Sequence, residues 1–303
     1  MKLALFPWVH SIKGSIERIA ELANGQEVQV DVCKLEPNWK KYDGAILNND
    51  FRPLPIPRIS YLTGLAVRRA LLKPGYTKGR IKVGDHRGVW TNCNTSRLAL
   101  KGVGIRATCV YRPYPLKIQA APAPLPEKLR VLWYWKPDWK YCESMDKEIL
   151  EAMKAVANEG IEIWVISNKH KPVSGLPNHP RIKAIGRCNF VETLPQVRGM
   201  VRLTGDYDWG RSNFDVIGAG RWVFNLNAWE FESSDGIFQI PGPGGTHKCH
   251  AMSAPTIEKA VQQIIPLVKT GHDVKKIHKY AASHFREDVL RTNWQNQLKK
   301  GFS

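Results

Sequence analysis

The sequence predicts an α/β protein built from two doubly wound domains with parallel sheets. Three observations carry this. Short apolar strands alternate with amphipathic helices over most of the chain. A proline and alanine stretch, AAPAPLPEK from Ala120 to Lys128, interrupts the alternation with the composition of an extended, semi-rigid linker. The length of 303 residues fits two domains of roughly 100–200 residues better than one.

The elements follow in order. Strands are expected at Lys2–Trp8, Val28–Cys33, Gly44–Asn49, Arg80–Asp85 and Ile105–Val110, with helices at Ser15–Ala23 and Tyr61–Lys73. Beyond the linker, Arg130–Trp135 reads as a strand. SMDKEILEAMKAVANEG follows as a helix with Ile149, Met153 and Val156 at i, i+4 and i+7, stopped by Gly160. Strands at Ile161–Ser167, Arg181–Gly186, Met200–Gly205 and Arg221–Asn225 continue the pattern, with a short helix near Thr193–Arg198. From Pro255 onward the chain reads as helices. Ile257, Ala260, Val261 and Ile264 form one apolar stripe, and Val289, Trp294 and Leu298 mark a last helix. The expected division is 1–119 for the first domain, 120–128 for the linker, 129–280 for the second domain, and 281–303 for a C-terminal helix packing back on the first. In such sheets ligands bind beyond the carboxyl ends of the strands, here in a cleft between the two domains.

Composition narrows the function. No run approaches the ~18 apolar residues of a membrane span, and MKLALFPWVH reads as a first strand rather than a signal peptide because Pro7 breaks its apolar run. The protein is therefore expected in the cytoplasm. The six cysteines lie far apart without a C-x-x-C pair, so neither a zinc site nor a disulfide framework is implied, and HKCH at His247–His250 reads as a solvent loop. The net charge is +18, and residues 51–120 hold 14 Lys and Arg against one acid, Asp85. Charge concentrated in one segment points to a polyanionic partner.

The stretch GDYDWGRSNFDVIGAGRWVFN, Gly205–Asn225, follows a strand and so lies at a carboxyl end. Ser212 and Asp215 fit S-x-x-D, a capping box with Asp in place of Glu or Gln, and Gly218 and Gly220 suit a helix stop. A cap does not account for Gly210 and Arg211. Glycine lets a ligand approach the backbone, a helix start attracts phosphate, and an arginine adds a charge-assisted contact. Asp215 could accept the hydroxyls of a ribose.

The pattern D-W-G-x-S-x-x-D-x-x-x-x-G-R-W-V resembles the donor-site motif of GT-B glycosyltransferases, with Gly210, Asp215, Gly220 and Val223 matching in spacing. The family carboxylate that binds the ribose is usually Glu. The first carboxylate of the family pair falls near Tyr207, flanked by Asp206 and Asp208. LRVLWYWKPDWK is similar to the strand and loop that carry two basic residues for the donor diphosphate, which puts Lys136 and Lys140 in that role. FVETLPQVRGM resembles the segment that frames the base, and W-x-x-Q-L at Trp294–Leu298 resembles the tail helix. The resemblance implies two Rossmann-like domains facing a cleft and a metal-independent hexosyl- or pentosyltransferase. It also implies a nucleotide-sugar donor, UDP-linked by expectation, held by Lys136, Lys140, Gly210, Arg211, Ser212 and Asp215, with no further cofactor and no metal. Positive side chains and a helix N-terminus would stabilise the leaving diphosphate.

An inverting reaction would need a base. KVGDHRGVW places Asp85, then His86, past the expected strand Arg80–Asp85 and makes them the first candidates. Asp50 in NNDFRP and His10 in PWVHS follow strands too, as a turn residue and a loop histidine. Arg52, Arg58, Arg68, Arg69, Lys73, Lys78, Arg80 and Lys82 form the expected DNA-binding set, with Trp8, Tyr61 and Trp90 as aromatics able to stack on an extruded base. The leading expectation is sugar transfer to hydroxymethylated DNA bases, similar to the situation of bacteriophage DNA-base glycosyltransferases. An anionic membrane with a lipid-linked or polysaccharide acceptor would attract the same face, and a non-catalytic nucleic-acid-binding protein on a GT-B scaffold would show the same charge.

Overall fold

The computed structural model describes residues 1–7, 15–111, 122–135, 146–167, 175–203, 211–225, 239–241 and 254–303. The chain divides into two compact units. The first contains β1 (Lys2–Pro7), α1 (Ser15–Ala23), β2 (Gln29–Val32), β3 (Gly44–Asn48), β4 (Arg58–Leu62), α2 (Gly64–Leu72), α3 (Pro74–Ile81), β5 (His86–Thr91), α4 (Asn94–Gly102) and β6 (Thr108–Cys109). Its sheet is parallel in the order β2-β1-β3-β4-β5-β6. The second contains β7 (Arg130–Tyr134), α5 (Asp146–Asn158), β8 (Glu162–Ile166), β9 (Ile182–Gly186), α6 (Phe190–Thr193), β10 (Gly199–Arg202), α7 (Arg211–Gly218), β11 (Trp222–Asn225), β12 (Gln239–Pro241), α8 (Ala254–Thr270) and all but the last two residues of α9 (Val274–Phe285). It too is parallel, in the order β12-β11-β10-β7-β8-β9. The last helix, α10 (Glu287–Phe302), belongs to the first unit.

The central strands are apolar along their length because helices cover parallel sheets on both faces. In the first unit Leu3, Leu5, Ile46 and Ile59 pack with Ile16 and Ile19 of α1 and with Trp294 and Leu298 of α10. Trp294 meets Tyr61 and Trp90 edge-on, with ring centroids 5.3 and 5.9 Å away, and its indole N–H donates to the Tyr111 carbonyl at 2.9 Å. A Cβ on Gly44 would collide with the Phe302 ring, so that glycine permits the close approach of α10. In the second unit Val131, Trp133, Ile163, Val165, Met200, Val201, Val223 and Phe224 are buried. So are Ile149, Met153 and Val156 on α5 and Ile257, Ala260 and Ile264 on α8.

Two expected elements are corrected. Residues 80–85 are not a strand. The apolar alternation of RIKV suggested one, but Pro74 at a helix start gives α3, and the strand begins at His86. The helix expected from Tyr61 begins at Gly64, and Arg58–Leu62 is the fourth strand.

The linker is pinned to the second unit. Arg221 donates from Nε to the Leu194 and Val197 carbonyls at 3.2 and 2.8 Å. Its Nη1 and Nη2 donate to those of Ala123 and Pro124 at 3.1 and 2.8 Å. Arg198 reaches the Pro126, Glu127 and Val268 carbonyls. These arginines satisfy backbone acceptors that a proline-rich segment cannot pair in a ladder.

Candidate functional site at the carboxyl edge of the second sheet

Strand β10 ends at Arg202 and α7 begins at Arg211, so the helix start lies at the carboxyl edge of the sheet. Phe214, Val216 and Ile217 are buried and fix α7 on the sheet. Gly220 stops it at φ 73°, where a Cβ would also strike Val274 at 2.6 Å. Two histidines serve its last carbonyls: His278 Nδ1 lies 2.8 Å from the Gly218 carbonyl and His272 Nε2 lies 3.0 Å from that of Gly220. Burial holds His272 below the usual imidazole range, so its neutral N–H is the donor.

The N-terminal end of α7 carries a buried cation. Arg202 is 5% exposed, lies over the Tyr134 ring at 4.9 Å, and donates from Nη1 to Asn213 Oδ1 at 3.4 Å. Asn213 is fully buried, and its Nδ2 makes no hydrogen bond among the described residues. Trp135 and Ser167 close the ends of neighbouring strands and are buried as well. A helix N-terminus beside a desolvated guanidinium forms a positive electrostatic field suited to a phosphate group. Sequence reasoning missed Arg202, Tyr134 and Asn213. The available signal was an arginine inside the apolar strand MVRL, since a charge is rarely buried without a role.

Helix α7 starts at Arg211, so Ser212 lies inside its first turn and Asp215 is its fifth residue. The pair therefore does not form a capping box, which needs Ser at the N-cap. Both side chains are half-buried at this end of the helix. Lys136, Lys140, Asp206, Asp208 and Gly210 lie outside the described residues, as do the Arg211 and Arg68 side chains, Trp8, His10 and His247–His250.

Asp85 and His86 are corrected. They stand at the amino end of β5, not past a strand, and so at the edge opposite the one where parallel sheets bind ligands. Asp85 pairs with Arg87 Nε at 2.7 Å. His86 Nε2 is hydrogen-bonded to Ser60 Oγ at 3.1 Å, and burial, aided by Arg58, pushes its pKa down to about 4. Arg58 is fully buried and cannot touch a polyanion. Its Nη2 donates to the Arg80 and Val83 carbonyls at 3.2 and 2.6 Å, at the end of α3. Tyr61 and Trp90 are core side chains, not stacking platforms. Arg52 pairs with Asp50 and lies 5.0 Å over the Phe6 ring. Arg69, Lys73, Arg80 and Lys82 are exposed and Lys78 is half-buried.

The carboxyl edge of the first sheet carries a polar shelf that sequence reasoning passed over. Asn49 sits at φ 62°, and its Oδ1 accepts from Thr63 N and Oγ1 at 2.7 and 3.0 Å. Thr91 Oγ1 donates to the Cys93 carbonyl at 3.1 Å, and Cys93 Sγ accepts from Ser96 N at 3.4 Å. Asn48, Asn92 and Ser96 are buried beside them. Among the described residues no group of three or more His, Cys, Asp or Glu side chains is placed to hold a metal.

The lipopolysaccharide outer core galactosyltransferase WaaB, in its apo form, matches with a TM-score of 0.64 at 11% identity, over 99% of both chains. The fold is that of the GT-B glycosyltransferases. Sucrose-phosphate synthase from Thermosynechococcus elongatus shares this GT-B architecture at a TM-score of 0.59 and 10% identity, covering 100% of this chain and 99% of that one. A TarM variant from S. aureus, in complex with fondaparinux, alpha-GlcNAc-glycerol and UDP, matches at a TM-score of 0.52 and 11% identity over 86% of this chain. There the GT-B match spans about half the partner's length, 55%. No protein-family model and no curated protein sequence matches the chain.

Proposed function

We propose that the protein is a glycosyltransferase that takes a hexosyl or pentosyl group from a nucleoside-diphosphate sugar. One observation carries the reading: on a GT-B fold, the N-terminus of α7 and the buried Arg202 converge at the carboxyl edge of the second sheet. The field there suits a leaving diphosphate, which gains negative charge as the glycosidic bond breaks. Ser212 and Asp215 lie on the same helix, with Asp215 assigned to the ribose, and Lys136, Lys140, Gly210 and Arg211 complete the donor set. The UDP in the TarM complex supports a uridine donor. In this reading cations and the helix dipole do the work of a metal, so transfer persists in a chelator. The four described cysteines, Cys33, Cys93, Cys109 and Cys188, are free thiols, which fits a cytoplasmic enzyme.

The acceptor side is read from charge. Hydroxymethylated DNA fits the basic segment of the first unit. A second acceptor, lipid-linked or polysaccharide at an anionic membrane, is favoured by the exposed Leu72, Tyr76 and Val83 among those cations. The test is incubation of the full chain with labelled nucleotide sugars and, in parallel, hydroxymethylated duplex DNA and lipid-linked oligosaccharide. Transfer to either identifies the acceptor. Neither transfer nor hydrolysis of any nucleotide sugar, with nucleic-acid binding unchanged in Asp215→Ala, would leave a non-catalytic binding protein instead.

A further inference from the structure

We infer that the surface formed by the end of α2, by α3 and by the turn after it docks on an anionic lipid bilayer. The inference deepens the membrane reading of the acceptor, but it stands on surface chemistry and is measurable without any sugar transfer.

Three features of this surface argue together. From Phe51 to Gly84 the chain contains no acid, so Arg69, Lys73, Lys78, Arg80 and Lys82 act on their surroundings with one sign. Six large apolar side chains are exposed among the described residues, and three of them, Leu72 at 62%, Tyr76 at 61% and Val83 at 49%, fall within this one stretch. Single exposed apolar residues are ordinary, whereas three within residues 72–83, interleaved with cations, are a binding feature. The arrangement is also held in place. Lys73 joins the two helices, capping the end of α2 and the start of α3. Tyr76 carries Arg80, whose guanidinium lies 5.3 Å over the ring and whose Nε donates to the hydroxyl at 3.1 Å. Arg58, buried beneath, fixes the turn by holding the Arg80 and Val83 carbonyls.

This combination fits a bilayer interface better than a nucleic-acid duplex. A duplex backbone offers phosphates to the lysines but nothing apolar to Leu72 and Val83. A bilayer offers both, since headgroup phosphates meet the ammonium groups while leucine, valine and the tyrosine ring enter the acyl boundary. Lysine and arginine stems add apolar contact while their heads stay at the headgroups. No described helix is long and apolar enough to cross a membrane, and the docking inferred here is attachment through this one surface.

Flotation of the full chain with vesicles of phosphatidylglycerol and phosphatidylcholine, against phosphatidylcholine alone, tests the inference. The protein floats with the anionic vesicles, stays down with the neutral ones, and is released by salt. Lys73→Gln with Lys78→Gln and Lys82→Gln weakens partitioning about fivefold for each cation removed. Leu72→Ser with Tyr76→Ser and Val83→Ser weakens it at least about tenfold at low salt, where charge alone would hold the protein. Lys259→Gln with Lys275→Gln, on the second unit, leaves it unchanged, and circular dichroism confirms that each variant folds. The inference is overturned if the wild type ignores anionic vesicles, or if the apolar variant floats as well as the wild type. It is also overturned if a duplex DNA fragment outcompetes the vesicles. Flotation without transfer of any sugar would sink the proposed activity and leave the docking surface standing.

Discussion

Replacing Arg221 with methionine should destabilise the second unit by about 4 kcal/mol. The side chain is 1% exposed and donates four hydrogen bonds to carbonyls, of Leu194, Val197, Ala123 and Pro124. Hydrogen bonds from a charged group contribute about 1.5–3 kcal/mol each, and methionine supplies none, so the gross loss is about 6–12 kcal/mol. Against this stands the cost of burying the charge. Burial pushes Arg221 well below the usual guanidinium range, to about 10. That drop corresponds to about 3 kcal/mol, which the variant recovers. The sign is that of a cation disfavoured by folding: the penalty is complete below pH ~10 and eases as pH rises through it. The difference leaves about 4 kcal/mol near the low end, or a Tm lowered by about 8–16 °C for a domain of this size. Differential scanning calorimetry at pH 7 measures it, with Arg221→Lys falling between because one ammonium cannot reach four carbonyls. A shift below about 3 °C in Arg221→Met would refute the argument that the guanidinium holds the linker.

Further predictions test other sites. Asp215→Ala should weaken UDP binding at least tenfold by titration calorimetry while the Tm stays within about 2 °C, since the residue is not in a capping box. Arg202→Met should weaken UDP binding by about 10–100-fold, the scale of one or two charge-assisted contacts. His86→Gln should flatten the acid limb of stability. The folded pKa, about 4, lies below the unfolded value, so the wild type loses stability as pH falls from about 6.5 toward 4, by about 2 kcal/mol once partial solvation of the ring is allowed for. Thermal melts at pH 7 and 4.5 on both proteins compare the slopes, and equal slopes would refute the burial argument. Trp294→Ala should cost the first unit about 3–5 kcal/mol through its cavity, with a further loss from the orphaned Tyr111 carbonyl, visible as an earlier denaturation step in urea.

The elements legible in the sequence were those with long, regular patterns. The stripe of Ile149, Met153 and Val156 located α5, apolar runs opening on or just after a glycine located β3 and β8, and the apolar run behind the proline-rich linker located β7. Strand β4 was hidden because its opening residue is an arginine behind three prolines, and a charge there looks like surface until its burial is seen. Asp85 and His86 looked like strand-end residues only because RIKV imitates a strand, and three glycines in 75–84 disguised α3. At the carboxyl edge of the second sheet the position of the α7 stretch followed from chain order alone. The Arg202, Tyr134 and Asn213 cluster did not, because it joins three elements whose proximity is a property of the sheet and not of spacing.

The C-terminal helix has a consequence for how the chain comes to be folded. Trp294 and Leu298 share a core with Leu3 and Leu5, and Arg291 holds the Glu21 carbonyl across 270 residues. Strands β1 to β5 therefore lack part of their covering layer until the last turns of α10 have been made. On the ribosome the second unit, whose elements all precede α10, can settle while the first waits with apolar surface uncovered. Strands β1 to β3 are then made before the second unit yet sealed after it, and a chain arrested before Trp294 would present that surface to chaperones.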